Sequence, residues 1–325
     1  MAVAPRKKVA VQYRKLDDLI GAFAPYTLQR ALSKALMVNG SPTSIGSSVS
    51  QRHYDIDKSY GIMGLNYYHD TEDYLFGKIV RFEPGADMPL LAMGANPAVY
   101  NLTQSKAPAG HEPIRGILYF MAIENHVSLL EMDVGANRGE TYLSWLLGEK
   151  SNVLAASTQV VLAANLSARA GGKQLTEIRE VVFRPRPVAD ADVTPTTQDV
   201  VVGAKSREVS EANTLAVLKA AGMGEADIQE MAKGSGSIEV VLQIKFKDSQ
   251  RRKNVGIEQA NRLLRNLPDD QVTLIGPGGR QTDGRIVKLV YPAHIETTGS
   301  LLNTNDVARA LHEAYNYFLT NGLIE

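Results

Sequence analysis

The stretch SIEVVLQIKFKDSQRRKNVGIEQANRLLRN, residues 237–266, carries in order a strand pattern, a short basic turn and a helix pattern. Its first part, Ile238–Phe246, is rich in Val, Ile and Leu, which is typical of a mostly buried strand. The charged residues begin where that strand is expected to leave the core. This stretch therefore predicts a strand-to-helix corner with a basic surface.

Seven cations crowd into residues 245–265, against only two acids, Asp248 and Glu258. The seven are Lys245, Lys247, Arg251, Arg252, Lys253, Arg262 and Arg265. Cations at the start of a helix oppose its dipole, which favours anions there, so folding does not need this arrangement. Phosphate groups would use it, because backbone N–H groups and basic side chains would point at them together. We predict that these seven residues bind DNA; the alternative is a solvated basic turn.

The composition is that of a folded protein. The chain has 325 residues, with 44% hydrophobic and 22% charged residues, and its 35 Lys and Arg are balanced by 35 Asp and Glu. The absence of cysteine excludes disulfides, thiolate zinc sites, iron–sulfur ligation and cysteine nucleophiles. Residues 153–168 are the most apolar segment, but they are too short for a membrane span. We expect a cytoplasmic protein without a signal peptide.

Periodicity along the chain predicts alternating strands and helices. The predicted strands are Lys8–Tyr13, Tyr74–Phe82, Ile114–Glu124, His126–Val134, Val153–Ala168, Ile178–Phe183, Val272–Ile275 and Ile286–Tyr291. The predicted helices are a segment with Pro25 in its first turn and the apolar face Leu28, Ala31, Leu32, Ala35 and Leu36, then Glu140–Leu147, Ser210–Ala221, Glu225–Ala232, and a last helix from the cap Asn303 to Leu319. Ile114–Val134 and the two strands around GPGGRQTDG each predict a hairpin, and Gly40–Ser50 and Glu83–Pro113 predict loops.

These elements predict an α+β fold of largely antiparallel sheets with amphipathic helices packed on them. Residues 184–195, RPRPVADADVTP, are rich in proline, as linkers are. We therefore predict an N-terminal α+β lobe over residues 1–183, a linker or hinge over 184–200, and a C-terminal α+β lobe over 201–325. Further cations provide secondary DNA-binding candidates, or solvated charge on strand edges. These are Arg179, Arg184, Arg186, Arg280, Arg285 and Lys288.

Residues 54–74 combine aromatic and polar side chains. The tyrosines are Tyr54, Tyr60, Tyr67, Tyr68 and Tyr74. Near Arg52 and Lys58, such rings can stack on nucleic-acid bases. His69, with Asp70 and Asp73, has the chemistry of a metal site, although no paired-histidine spacing supports one. The alternative is that the tyrosines pack in the core and that His69 is a surface residue.

No catalytic signature is found in the sequence. A metal-dependent nuclease needs carboxylates beside a lysine, and Glu239 with Lys245 and Lys247 lacks the spacing. The six histidines are scattered, and the serines at 235 and 237 lie in a glycine-rich lead to the strand. We therefore predict no enzymatic activity, no catalytic residue, no metal and no cofactor. A nuclease whose acids come from distant segments remains a second alternative.

The order of several segments resembles a known family. They are ILYFMAIENHVSLLEMDVG and YLSWLLGEK; LAVLKAAGMGEADIQEMAKGSGSIEVVLQIKFK; RRKNVGIEQANRLL; VTLIGPGGRQTDGRIVKLVYPAHI; and VARALHEAYNYFL. This succession, over residues 114–320, resembles the RexA family of phage-exclusion proteins of lambda-like prophages. The resemblance implies a cytoplasmic, dimeric, largely sequence-nonspecific DNA binder that helps a prophage exclude other phages, together with a membrane-protein partner.

The resemblance also implies that the basic segment after the long strand, residues 245–253, contacts DNA. Our first hypothesis is thus a non-enzymatic, double-stranded-DNA-binding homodimer that acts in abortive infection. The alternative is a phage structural or assembly protein that binds other proteins.

Overall fold

A computed structural model of the chain describes residues 5–18, 21–57, 60–92, 101–164 and 287–325, and short strand segments between 166 and 275. Two compact units are present. The first comprises Met1–Asn165 and Lys288–Glu325, and the second comprises Leu166–Val287. The predicted lobes, 1–183 and 201–325, have different bounds, because residues 288–325 belong to the unit of the N-terminal residues.

The first unit is built on a sheet of nine strands, and all the pairings between its strands are antiparallel. The strands are β1 (Arg6–Leu16), β2 (His53–Asp57), β3 (Gly61–Asp70), β4 (Leu75–Phe82), β5 (Ile114–Ile123), β6 (His126–Met132), β7 (Leu162–Ala164), β8 (Val290–Thr298) and β9 (Leu301–Leu302). Their order is β9-β8-β1-β6-β5-β4-β3-β2, and β7 pairs with the end of β1 beyond β8. The expected α+β class, with a largely antiparallel sheet and packed helices, is confirmed.

The centre of the sheet is the predicted hairpin β5–β6. Residues 116–122 of β5 are buried without interruption, because helices cover both faces of the sheet at this point. Leu118, Phe120 and Ala122 face one core, while Ile117, Tyr119 and Met121 face the other. Strand β1 then brings the two ends of the chain together, since it pairs with β6 on one side and with β8 on the other.

Two helices cover the first face. Helix α1 (Leu28–Leu36) begins at Thr27, whose side chain accepts a hydrogen bond from the Arg30 amide, and its predicted apolar face is buried. Helix α2 (Ala136–Trp145) is followed by one π-helical turn, Leu146–Lys150. Together they bury a core with Leu65, Phe120 and Leu129, and each fully buried side chain of this kind stabilises the fold by about 1.5–3 kcal/mol.

One long helix packs on the other face. Helix α3 (Thr304–Thr320) begins as predicted at Asn303, whose side-chain oxygen accepts hydrogen bonds from the amides of Asn305 and Asp306. Its apolar residues lie against β8, β1, β6 and β5. The buried residues are Val307, Ala310, Leu311, Ala314 and Phe318. On this face, α3 therefore packs mainly on the half of the sheet that contains β8, β1, β6 and β5, and strands β3 and β4 lie beside it.

Several predictions for the first unit were wrong in detail. Pro25 precedes α1 and is not in its first turn. The predicted loop at Gly40–Ser50 contains the strand Ser41–Pro42, which pairs with Met37–Val38, and the helical turns Ser44–Ser47 and Val49–Arg52. Within Glu83–Pro113, the strands Met88–Ala92 and Asn101–Ser105 pair with each other. In the predicted strand Val153–Ala168, residues 153–161 are not strand.

The second unit is described by short strands. Val181 in Glu180–Phe183 lies between Ile244 of Leu242–Lys245 and Leu274 of Val272–Ile275, in a three-stranded antiparallel sheet. The other strands are Leu166–Ser167, Arg169–Ala170, Lys173–Gln174, Glu177–Ile178, Val188–Ala189, Ser237–Ile238, Lys247–Asp248, Arg251–Arg252, Val255–Gly256 and Val287–Lys288. Arg169–Ala170 and Lys173–Gln174 pair with each other. The predicted helices at 210–221 and 225–232 lie outside the described residues.

One predicted hairpin of this region is wrong. Val272–Ile275 pairs with Glu180–Phe183, whereas Val290–Thr298 pairs with β1 of the first unit's sheet. Strands select partners by the apolar face they can bury, and the best partner here is distant in sequence.

In the part of the chain that the structure describes, no helix is both long enough and apolar enough to cross a membrane.

Candidate nucleic-acid interface

The described residues of the basic stretch form short strands. Lys245 ends a strand and is paired with Glu180. Lys247–Asp248 and Arg251–Arg252 then pair with each other, Lys247 opposite Arg252 and Asp248 opposite Arg251. Another strand segment, Val255–Gly256, follows and pairs with Glu177–Ile178. Three of the central cations therefore lie in a two-stranded ribbon, here called the basic hairpin (Lys247–Asp248 with Arg251–Arg252). The helix predicted to follow lies outside the described residues.

The other predicted DNA-binding residues are only partly placed. Lys288 lies in the strand Val287–Lys288. The remaining ones lie outside the described residues: Lys253, Arg262, Arg265, Arg179, Arg184, Arg186, Arg280 and Arg285. Glu239, the acid considered for a nuclease, also lies outside them. The structure thus brings together the backbones of Lys247, Arg251 and Arg252.

The five tyrosines between residues 54 and 74 separate into packing groups and one exposed ring. Tyr54 is stacked on Trp145 with ring centroids 4.7 Å apart, and both belong to the core under α2. Tyr60 lies between two guanidinium groups, those of Arg81 at 4.1 Å and Arg138 at 4.2 Å from its ring. These rings have structural contacts, so the packing alternative holds for them.

Arg52, proposed as a cation beside stacking rings, is a structural residue. Its side chain is buried, and its guanidinium donates hydrogen bonds to the backbone oxygens of Leu65, Ile45 and Gly46. It also lies over the ring of Tyr68. Because these donors are used inside the protein, Arg52 has no role in contacting nucleic acid.

Tyr67 is the exposed ring, and a β-bulge puts it there. The register of β3 against β4 shifts between Leu65, which is opposite Ile79, and Tyr67, which is opposite Lys78. Simple alternation would place residues 65 and 67 on the same face. The extra residue of the bulge reverses this, so that Leu65 is buried under α1 and α2 while Tyr67 is 43% exposed on the α3 face.

Around Tyr67 the sheet and α3 form a concave surface, here called the sheet groove. Its first part is an open cavity of about 470 Å³ between β3, β4 and α3. The residues lining it are Tyr67, His69, Tyr74, Phe76, Met121, Asn305, Ala308, Arg309 and His312. A second cavity of about 270 Å³ continues along β4, where Lys78 and Val80 follow Phe76 in alternation on the same strand face.

Lys78 is the central cation of the groove. Its ammonium lies 5.7 Å from the ring centroid of Tyr119, the residue opposite it on β5. Burial lowers the pKa of Lys78, because the charged form loses solvation there. In the described ranges Lys78 has no carboxylate partner. Arg309, by contrast, is paired with Asp306 and Glu313.

Histidines lie at both ends of the groove. His53 packs edge-on against Phe82, and burial together with the charge of Arg52 lowers its pKa. His69 is 6.0 Å from the ring of Tyr74, which in turn lies 5.9 Å from that of His312. His312 of α3 is an exposed member of this aromatic row.

The metal hypothesis for His69, Asp70 and Asp73 is not supported by the geometry. His69 and Asp70 are neighbours on β3 and so face opposite sides of the sheet. Asp70 accepts a hydrogen bond from the hydroxyl of Ser33 on α1. Among the residues that the structure describes, no group of three or more potential ligands could hold a metal ion.

Sequence reasoning missed Lys78 and Phe76 as members of this surface. The available signal was a lysine in the middle of the apolar strand LFGKIVRF, where solvation of the charge requires an opening on one face. Comparisons with protein-family models, with curated proteins and with solved structures found no match.

Proposed function

We propose that this protein is a non-enzymatic, largely sequence-nonspecific binder of double-stranded DNA, and that it acts in prophage-encoded exclusion of other phages. The observation that supports DNA binding is the backbone pairing in the basic hairpin. It places three cations and one acid in four paired residues, with Lys245 at the end of the preceding strand and Lys253 next in sequence.

A ribbon of this kind suits a duplex. Residues opposite each other in an antiparallel pair have Cα atoms about 4.5–5.5 Å apart, so the charge of Lys247 and Arg252 is concentrated locally. The major groove of B-DNA admits a two-stranded ribbon, and the phosphates on either side attract its cations. In this proposal phosphate contacts supply most of the affinity, which makes binding tolerant of sequence and sensitive to salt.

The biological setting comes from the resemblance to the RexA family. It supports a cytoplasmic homodimer that works with a membrane-protein partner. Two copies of the basic hairpin in a dimer would grip one duplex at two places. Sedimentation of the full chain, alone and with a duplex, measures the number of copies in the complex.

The decisive experiment measures duplex affinity over a range of salt concentrations. The variant Arg251→Ala, Arg252→Ala, Lys253→Ala should bind more weakly, and its salt slope should flatten by about 0.9 per lost phosphate contact, or about 2.7 in all. The control variant Lys15→Ala, Arg30→Ala, Lys106→Ala removes three exposed cations of the first unit and the same total charge. It should retain the wild-type slope.

Three results would contradict this proposal. Equal slopes for the wild type and the hairpin variant would move the DNA contacts to other cations, Arg179–Arg186 or Arg280–Lys288. An absence of duplex binding even at low salt would favour the protein-binding assembly role instead. Cleavage of DNA after addition of Mg²⁺ or Mn²⁺ would identify a nuclease.

A further inference from the structure

The sheet groove has the features of a binding surface separate from the basic hairpin. All the residues that line its two cavities belong to the first unit, and they lie on β2 to β5, on α3, on the turn before β4 and in the segments before β2 and β5. Tyr67 and Lys78 are directly opposite on neighbouring strands, so an exposed aromatic face and a cation lie side by side. This pairing also joins the two cavities, because Tyr67 lines the first and Lys78 lines the second.

One cation of the groove, Lys78, is not held in an ion pair among the described residues, although Glu112 lines the same cavity. Lys78 is half-buried, and in the described part of the chain no carboxylate is paired with it. Glu112 is the acid that lines the second cavity, and Asp306 and Glu313 are engaged by Arg309. A partly desolvated ammonium is costly unless an anion or hydrogen-bond acceptor approaches it. The charge therefore favours an anionic ligand.

A second polar group beside Lys78 also lacks a partner. The side chain of Tyr119 is fully buried, and its hydroxyl has no hydrogen bond among the described residues. Buried hydroxyl groups are nearly always hydrogen-bonded in folded proteins. The ring of Tyr119 lies beside the ammonium of Lys78, on the next strand, so the hydroxyl without a partner belongs to a direct neighbour of the groove's cation.

The aromatic lining defines the other half of the ligand. Tyr67 presents its ring at 43% exposure with Phe76 beside it at a centroid distance of 6.1 Å, and the imidazoles of His69 and His312 extend the row. Exposed rings on a sheet face bind unpaired bases by stacking, and a neighbouring cation binds the phosphate of the same strand. A groove that continues along β4 accommodates a chain of nucleotides.

We propose that the sheet groove binds single-stranded nucleic acid, with one unpaired base stacked on Tyr67 and a backbone phosphate at Lys78. This site adds to the duplex binding proposed above and does not depend on it. Base stacking is tolerant of sequence because every base has an aromatic face, so the site takes single strands of mixed sequence. The duplex keeps its bases paired and has none to place on Tyr67.

The test uses the full chain and a labelled single-stranded DNA of mixed sequence, measured by fluorescence anisotropy, with the matching duplex in parallel. Tyr67→Ala should weaken single-strand binding about 5- to 150-fold, the range for loss of one stacked base. Tyr67→Phe should bind nearly as well as the wild type, because stacking needs the ring and not the hydroxyl. Lys78→Gln should flatten the single-strand salt slope by about 0.7.

Tyr317→Ala is the matched control. Tyr317 is 47% exposed on α3, but it lies beside Tyr291 of β8 and not in the groove. Weaker single-strand binding in Tyr67→Ala, with no change in Tyr317→Ala and unchanged duplex binding, is the expected result. Equal single-strand affinity in the wild type and Tyr67→Ala would overturn the proposal, as would duplex binding without single-strand binding in the wild type.

The same measurements separate the two proposals. If the hairpin variant loses duplex binding while Tyr67→Ala leaves single-strand binding unchanged, the groove proposal fails and the duplex proposal stands. If the wild type does not bind duplex but binds single strands, and Tyr67→Ala weakens that binding, the duplex proposal fails and the groove proposal stands.

Discussion

Replacing Tyr142 with phenylalanine should destabilise the first unit, although it removes a single oxygen atom. Tyr142 lies on α2 with its side chain fully buried. Its hydroxyl donates a hydrogen bond to the backbone oxygen of Arg52 at 2.7 Å and accepts one from the amide of Leu65 at 2.9 Å. One hydroxyl thus satisfies two buried backbone groups, one before β2 and one on β3 beside the bulge that exposes Tyr67.

The magnitude follows from those two groups. Each buried donor or acceptor left without a partner costs about 1–3 kcal/mol, which gives about 2–6 kcal/mol for the pair. We expect about 2–4 kcal/mol, because phenylalanine keeps the ring packing and the backbone can relax slightly. The control is Tyr26→Phe, whose hydroxyl contacts Lys34 at an exposed position and whose loss should change stability by about 0.5 kcal/mol or less.

Urea unfolding measures this change. Trp145, the single tryptophan, lies 5.6 Å from Tyr142 in the same core, so its fluorescence reports on this unit, and far-UV circular dichroism provides a second probe. A free energy of unfolding for Tyr142→Phe within about 0.5 kcal/mol of the wild type, at an unchanged dependence on urea, would refute the reasoning. It would mean that the two backbone groups find other partners.

Three further outcomes are expected. Burial raises the pKa of Tyr142, so above about pH 10 the unfolded chain loses that proton before the folded chain does. With rising pH the wild type should therefore lose stability faster than Tyr142→Phe, by up to about 1.4 kcal/mol per pH unit. Urea titrations at several pH values measure this difference, and equal pH slopes for the two proteins would argue against it. Burial, and to a smaller extent the charge of Lys15, lowers the pKa of His126. The stability that neutral His126 contributes should therefore be present above about pH 6.5 and decline as the pH falls. An NMR titration of His126 with a midpoint at or above about pH 6.5 would contradict this. Asn303→Ala should cost about 1 kcal/mol of unfolding free energy because two amide hydrogen bonds at the start of α3 are lost, whereas Asn303→Asp should retain most of it; equal losses would exclude capping.

Much of the local structure was predictable because it depends on neighbours in the chain. The hairpin β5–β6 has two apolar runs separated by Asn125, and α1 and α3 have apolar residues at helical spacing. The cap at Asn303 also follows from residue type. The π-helical turn after Trp145 and the strand Ser41–Pro42 within Gly40–Ser50 carry no comparable local signal.

The candidate site was predictable only in part. The cations at residues 245–253 stand out in the sequence, but the position of Lys247, Arg251 and Arg252 in a β-ribbon depends on pairing between strands. The tyrosines at 54, 60, 67, 68 and 74 have the same chemistry and could not be ranked without the structure. Only contacts distant in sequence, such as that of Tyr54 with Trp145, separate the packed rings from the exposed one.

Residue pattern alone was sufficient for the existence of most helices and strands, for the α+β class and for a concentration of cations near residue 250. The folded chain decided which strands pair and which side chains are exposed. Val290–Thr298 joins β1, nearly 300 residues away, and one bulge at residues 65–67 turns Tyr67 out of the core. Both outcomes depend on which apolar faces of the whole chain can be buried together, and the sequence of one segment does not determine that.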